Sequence, residues 1–63
     1  MKFILETIDL PFAKYVLYIF DNQDNLICIA MTKDVKNFYD ELKHYGISEQ
    51  EFDQLIKTGM LVK

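Results

Sequence analysis

Apolar runs separated by turn-forming residues fill the first half of the chain, and this pattern predicts strands. Residues 2–9 mix β-branched, aromatic and charged positions, as strands commonly do. Pro11 cannot donate a hydrogen bond to a sheet, so we expect a bend after the first strand. The apolar runs 15–20 and 26–31 flank five Asp, Asn and Gln residues, an arrangement typical of a β-hairpin. The pattern therefore predicts an antiparallel three-stranded meander over residues 2–31.

Neither hairpin run alternates between apolar and polar residues. A strand with one solvated face shows such alternation, whereas a strand covered on both faces is apolar throughout. In a chain of 63 residues the helices can cover only one face of the sheet. We therefore expect the second face to be covered by a symmetry mate or by another protein.

The second half of the chain has helical periodicity. Thr32 can cap a helix over residues 33–45, in which apolar residues recur at intervals of three and four. These residues are Val35, Phe38, Tyr39, Leu42 and Tyr45. Gly46 fits the left-handed position just past the helix end, and Ile47 can fold back on Leu42 in a Schellman motif.

A second helix is predicted from Ser48 onward, because residues 48–51 form a capping box in which Glu51 reaches back to the Ser48 amide. Its predicted buried face is Phe52, Leu55 and Ile56, and a second Schellman motif is predicted at Gly59. The tail, residues 60–63, can add a short final strand. The predicted fold is thus a single α+β domain over residues 1–63, with two helices packed on one face of the meander.

The short length and the composition indicate that the fold needs an additional source of stability. A domain this short buries only about 60% of its unfolded surface. Cys28 and His44 are the only cysteine and histidine, so neither an internal disulfide nor a four-ligand zinc site can form. Half the residues are hydrophobic, and some of that surface must stay exposed in a monomer. We therefore expect a homodimer, with an unusually densely packed monomer as the alternative.

Charge and hydropathy disfavour nucleic acid and membranes as partners. The chain has seven Lys, no Arg and ten acidic residues, a net charge of −3 that disfavours binding to nucleic acid. No apolar run approaches the ~20 residues of a membrane span. A single unpaired thiol suits a reducing compartment, so we expect a cytoplasmic protein with no membrane contact.

Three arrangements resemble chemical sites, and each fails on its residues. Residues 21–25 look like the start of a calcium-binding EF-hand loop, but Leu26 and Thr32 stand where that loop needs Gly and Glu. Cys28 lies among apolar neighbours, which makes it a poor nucleophile for His44 to activate. Asp40 and Glu41 are sequence neighbours and point in different directions around the helix. We predict no enzymatic activity, no metal and no cofactor.

The remaining candidates are contact residues. Glu49, Glu51 and Asp53 crowd the start of the second helix, where negative charge is stabilised by the helix dipole and can also meet a basic partner. The aromatic residues of the first hairpin strand are of a type enriched in interfaces. They are Tyr15, Tyr18 and Phe20.

These features predict a small protein-binding module. Acidic, cysteine-poor domains of this size are common among small proteins that phages use to inhibit or redirect host enzymes. The leading hypothesis is therefore this protein-binding module, and its resemblance of type to those phage proteins suggests a phage- or mobile-element-encoded inhibitor that occludes a host protein.

The alternative is a nucleic-acid-binding regulator, because the helix pair 33–45 and 49–58 has the spacing of a helix-turn-helix. In that arrangement Glu49, Glu51 and Asp53 would face the phosphates and be repelled.

Overall fold

A computed structural model describes all 63 residues, Met1–Lys63, as a four-stranded antiparallel sheet with two helices on one face. The strands are β1 (Lys2–Leu10), β2 (Ala13–Phe20), β3 (Leu26–Thr32) and β4 (Met60–Val62); the helices are α1 (Asn37–Lys43) and α2 (Glu49–Thr58). The order across the sheet is β3-β2-β1-β4. The predicted α+β class, the meander and the short C-terminal strand are confirmed.

The β2–β3 hairpin is closed by the side chain of Asp21. Its Oδ1 accepts hydrogen bonds from the amides of Gln23 and Asn25, at 2.8 and 2.9 Å. These amide hydrogen bonds, that of Asn25 first, lower the pKa of the Asp21 carboxyl because they stabilise its ionised form. Asp24 takes a positive φ of 61°, which Asp tolerates better than most residues. The loop sequence therefore fixes the hairpin without a ligand.

The core lies between the helices and one face of the sheet. Nine buried residues form a single cluster: Phe3, Leu17, Ile19, Phe38, Leu42, Ile47, Phe52, Leu55 and Leu61. The strand members alternate along the chain or pair across strands, as in Phe3 opposite both Ile19 and Leu61. The helices therefore lie on the side of the sheet that carries the odd-numbered residues Phe3, Leu17, Ile19 and Leu61.

The predicted start of the first helix is wrong by four residues. Thr32 remains in β3 opposite Tyr15, and its Oγ1 accepts a hydrogen bond from the Asp34 amide rather than capping a helix. Asp34 Oδ1 then accepts from the Lys36 amide, and the following bonds span three residues rather than four. Because the chain must turn out of the sheet before it can coil, the helix begins at Asn37.

The helix ends follow two different designs. After α1, the Ile47 amide donates to Leu42 O and the Gly46 amide donates to Lys43 O, which confirms the predicted Schellman motif. After α2, the Gly59 amide donates to Leu55 O in the simpler left-handed cap. The second predicted Schellman motif is absent because the next residue, Met60, already pairs with β1.

The capping box of α2 is present as predicted. The Glu51 amide donates to Ser48 Oγ, and the Ser48 amide donates to Glu51 Oε1 at 2.9 Å. Phe52 and Leu55 are buried, but Ile56 is 44% exposed, so the predicted buried face is too wide. The helix lies over β1 and β4 at the end of the sheet, and this edge position leaves Ile56 uncovered.

Candidate functional site

The sheet face opposite the helices carries an ordered array of apolar side chains. The strand register aligns Ile29, Tyr18, Ile4 and Met60 in one row across all four strands. One neighbouring row contains Met31, Val16 and Glu6, and the other contains Leu26, Phe20, Lys2 and Val62. We call these eleven residues the open face. No helix packs against it.

Large apolar side chains are concentrated on this side of the molecule. Ile29, Met31 and Met60 are each about half exposed, and Val62 is 71% exposed. Isolated exposed apolar residues are ordinary, but a contiguous apolar patch commonly marks a contact surface. Val16 is buried although it lies outside the helix-covered core, so the open face already packs its own side chains.

Only two charged residues occur in these rows, and both lie on β1. Lys2 Nζ lies 4.8 Å from the centroid of the Phe20 ring and 3.5 Å from Asp24 Oδ1. Glu6 is exposed and makes no ion pair. The two residues flank Ile4 symmetrically, two positions to either side.

The outer edge of the sheet at β3 is also apolar. Leu26, Ile27, Ile29 and Met31 are exposed, and the strand contains neither a charged residue nor a proline. Natural edge strands usually carry such residues to prevent pairing with another chain. A bulge at the loop end of β3 is the one protective device present.

The three aromatic residues predicted as contacts do not share a face. Tyr18 and Phe20 lie on the open face, whereas Tyr15 lies on the helix side and packs against the core cluster. Because successive strand residues point to opposite faces, the parity of the residue number decides the placement.

The predicted acidic contacts lie on the helix side, away from the open face. The Glu51 carboxylate already has partners within the fold, because its Oε1 accepts hydrogen bonds from the Ser48 amide and from Lys63 Nζ, at 2.9 Å each. The hydrogen bond from the Ser48 amide, and after it the hydrogen bond from the Lys63 ammonium, lowers the pKa of the Glu51 carboxyl. Lys63 Nζ also donates to Gly46 O, so Glu51 ties the chain end to the turn between the helices. Only Glu49 and Asp53 remain exposed without such ties.

A shallow groove of about 360 Å³ lies between the helices. It is lined by Lys36, Tyr39, Glu49, Phe52 and Asp53. Tyr39 and Phe52 stack with their ring centroids 5.1 Å apart, so its floor is aromatic and its rim carries both signs of charge. No serine, threonine, cysteine or histidine lines it.

The remaining chemical candidates are separate in the structure. Cys28 lies on the helix side of β3, partly buried against the core cluster, and His44 is exposed beyond the end of α1. No group of three or more His, Cys, Asp and Glu side chains lies close enough to hold a metal ion. Neither helix has the length and hydropathy that crossing a membrane requires.

No family model, curated protein or solved structure matches this chain. The site must therefore be judged on its own geometry.

The sequence missed the extent of the open face. The unbroken apolar runs predicted that β2 and β3 have two apolar faces, but Ile4, Met60 and Val62 were not among the predicted contacts. Strand register is what identifies the missed residues, since Ile4 lies opposite both Tyr18 and Met60. The sequence alone does not give that register.

Proposed function

We propose that this chain is a small protein-binding module and that the open face is its docking surface. The observation that carries the proposal is the four-residue apolar row Ile29–Tyr18–Ile4–Met60, which lies on a sheet face that no helix covers and is half exposed at both ends. Removal of such an apolar sheet face from water by another protein lowers the free energy of the system.

The size of the face fits this role. The strands contain nine, eight, seven and three residues. With a rise of ~3.3 Å and a spacing of ~4.8 Å they span roughly 400 Å² in the plane of the sheet. The largest apolar patch of a typical monomer is about 300–600 Å² and is often functional. The open face occupies roughly 350 Å² of that plane, at the lower end of the range for such patches.

The mechanism that follows is occlusion, in which the rigid sheet covers a complementary apolar surface of the partner. Inhibition of a host protein is the form of this function that the composition favours. Because the acidic residues lie across the sheet from the open face, one partner surface cannot contact both sets. Glu49 and Asp53 would meet a basic partner only as a second, independent contact.

The test compares two substitutions at exposed isoleucines on opposite sides of the molecule. Ile29→Lys places a charge in the open face, and Ile56→Lys places the same charge on α2 as the matched control. Ile29 and Ile56 are 54% and 44% exposed, so both variants are expected to fold. Tagged protein would be incubated with nuclease-treated bacterial lysate supplemented with the untagged chain, and bound proteins would be identified by mass spectrometry.

We expect wild type and Ile56→Lys to retain a protein that Ile29→Lys loses, whether that protein is another copy or a different chain. Equal retention by all three, or no retained protein, would refute the docking role of the open face. A parallel Glu49→Lys/Asp53→Lys variant tests the acidic contact separately. It leaves Glu51 intact, so the capping box is preserved.

The alternative, nucleic-acid binding through the helix pair, stays a prediction with its own test. Binding that depends on phosphate contacts weakens steeply as salt rises. Retardation of duplex or single-stranded DNA at low salt, lost on adding salt, would favour this alternative. We expect no retardation, because the exposed residues at the start of α2 are Glu49, Gln50 and Asp53.

A further inference from the structure

We infer that the occupant of the open face is a second copy of this chain, stacked face to face about a two-fold axis that runs along the row Ile29–Tyr18–Ile4–Met60. The inference rests on the proposed docking function and takes a second copy, rather than a host protein, as the partner on this face. A host protein could dock there only by displacing that copy. It follows from the positions of the only two charges in the three rows.

The axis direction is decided by charge. Two sheets that pack with their strands aligned are related by a two-fold axis that lies between them, parallel to their planes, and runs either across the strands or along them. If it runs across the strands above Ile4, Glu6 of each copy lies over Lys2 of the other, because both are two residues from Ile4. Two symmetry-related ion pairs then form, each between Glu6 of one copy and Lys2 of the other.

The other direction fails the same test. An axis along the strands, between β1 and β2, places Glu6 over Val16 and Lys2 over Phe20 of the second copy. Each carboxylate would then lose water without gaining a cation, and burial of an unpaired charge is costly. The arrangement with the axis across the strands is therefore self-complementary, and the one along the strands is not.

The apolar positions agree with this axis. Each residue of the row Ile29–Tyr18–Ile4–Met60 lies over the same residue of the second copy, and Val16 lies over Phe20 of the second copy. The strands of the two sheets run nearly antiparallel, which is the aligned packing that β-sandwiches use. The half-exposed Met31 and Met60 have flexible side chains that can fill irregular gaps between the layers.

Area and stability bear on the strength of the dimer. Stable interfaces bury about 800 Å² of accessible surface per partner, whereas the sheet plane spans only roughly 400 Å². The dimer is therefore expected to be weak and to dissociate on dilution. A short chain with no disulfide gains most from such an association. Both helix layers, with Glu49 and Asp53, would remain on the outside of the dimer.

Charge reversal with rescue tests the axis. Purified wild-type chain, Glu6→Lys, Lys2→Glu and the double variant would be compared by sedimentation over a wide range of concentrations, with circular dichroism to verify folding. Each single variant places two like-charged pairs in the interface, so we expect dimerisation to weaken by at least about tenfold. The double variant restores opposite charges and is expected to recover dimerisation.

A matched pair on the helix side supplies the control. Lys43 Nζ lies 4.7 Å from the Tyr39 ring centroid and 3.7 Å from Asp40 Oδ1, an environment closely similar to that of Lys2. Lys43→Glu and Asp40→Lys should leave dimerisation unchanged. If either changes dimerisation as strongly as Glu6→Lys does, the interface is not the open face.

Other outcomes overturn the inference in distinguishable ways. A dimer that ignores both single charge reversals uses another surface, such as the β3 edge. A wild-type chain that is monomeric at every concentration has no second copy on the open face. If that monomer still retains a different protein through Ile29, the docking function stands and only the identity of the partner is wrong.

Discussion

Replacement of Leu55 by alanine should remove a large part of the stability of this domain. Leu55 has no exposed surface and lies in the core cluster where α2 packs on the sheet. Leu-to-Ala changes at such sites cost about 3–5 kcal/mol, through lost burial and the cavity left behind. A 63-residue domain has a total stability of roughly 3–9 kcal/mol. The variant should therefore lose between a third and all of its free energy of unfolding.

The neighbouring position supplies the control. Ile56 is adjacent on the same helix and is 44% exposed, so Ile56→Ala should change stability much less than Leu55→Ala does. Both variants and wild type would be unfolded in urea and followed by circular dichroism, since the chain has no tryptophan. The protein would be kept dilute, because association also stabilises the folded state.

The melting temperature gives an independent reading. A loss of 3 kcal/mol corresponds to a fall of roughly 12–24 °C in a domain of this size. If Leu55→Ala costs less than about 1 kcal/mol, or no more than Ile56→Ala, then α2 does not pack on the sheet through Leu55. The conclusion that the helices leave the opposite face open would then lose its basis.

Three further predictions concern the helix ends and acid stability. Ser48→Ala should cost about 1 kcal/mol in urea unfolding, because the Glu51 amide loses its acceptor; an unchanged midpoint would contradict the capping box. The folded-state pKa of Glu51 is lowered, so the stability that its carboxylate contributes is present above the unfolded pKa and is lost as pH falls through the folded pKa. Glu51→Gln should therefore make the free energy of unfolding depend less on pH on the acid side. An unchanged pH dependence there would refute the assignment. Gly59→Ala should destabilise by about 1 kcal/mol or more, since φ is 82° and a Cβ would lie 3.3 Å from Leu5 O, while Gly59→Asn should cost less; equal melting temperatures for the two would count against this strain.

The order and type of the elements were predictable because they depend on local chemistry. The Asp21 loop closes a hairpin through its own amides, and the Ser48–Glu51 box starts a helix through bonds three residues apart. Gly46 ends α1 by adopting a left-handed conformation that other residues avoid. None of these features needs a distant partner, so the sequence determines them by itself.

The first-helix boundary was not predictable for the opposite reason. The stripe from Val35 onward has helical spacing, but Thr32 pairs with Tyr15, seventeen positions earlier in the chain. Sheet pairing holds the backbone extended through Thr32 and delays the helix to Asn37. Tertiary contacts therefore override a local preference that is otherwise sound.

The candidate site divides in the same way. The unbroken apolar runs of the hairpin indicated by themselves that the sheet has a second apolar face, because a strand with one solvated face would alternate. The placement of Tyr15 apart from Tyr18 and Phe20, and the alignment of Ile4 with Met60, depend on strand register and on which face the helices cover. A shift of one residue would exchange the two faces, so only the tertiary structure, in which the helices pack on Phe3, Leu17 and Ile19, decided which residues form the open face.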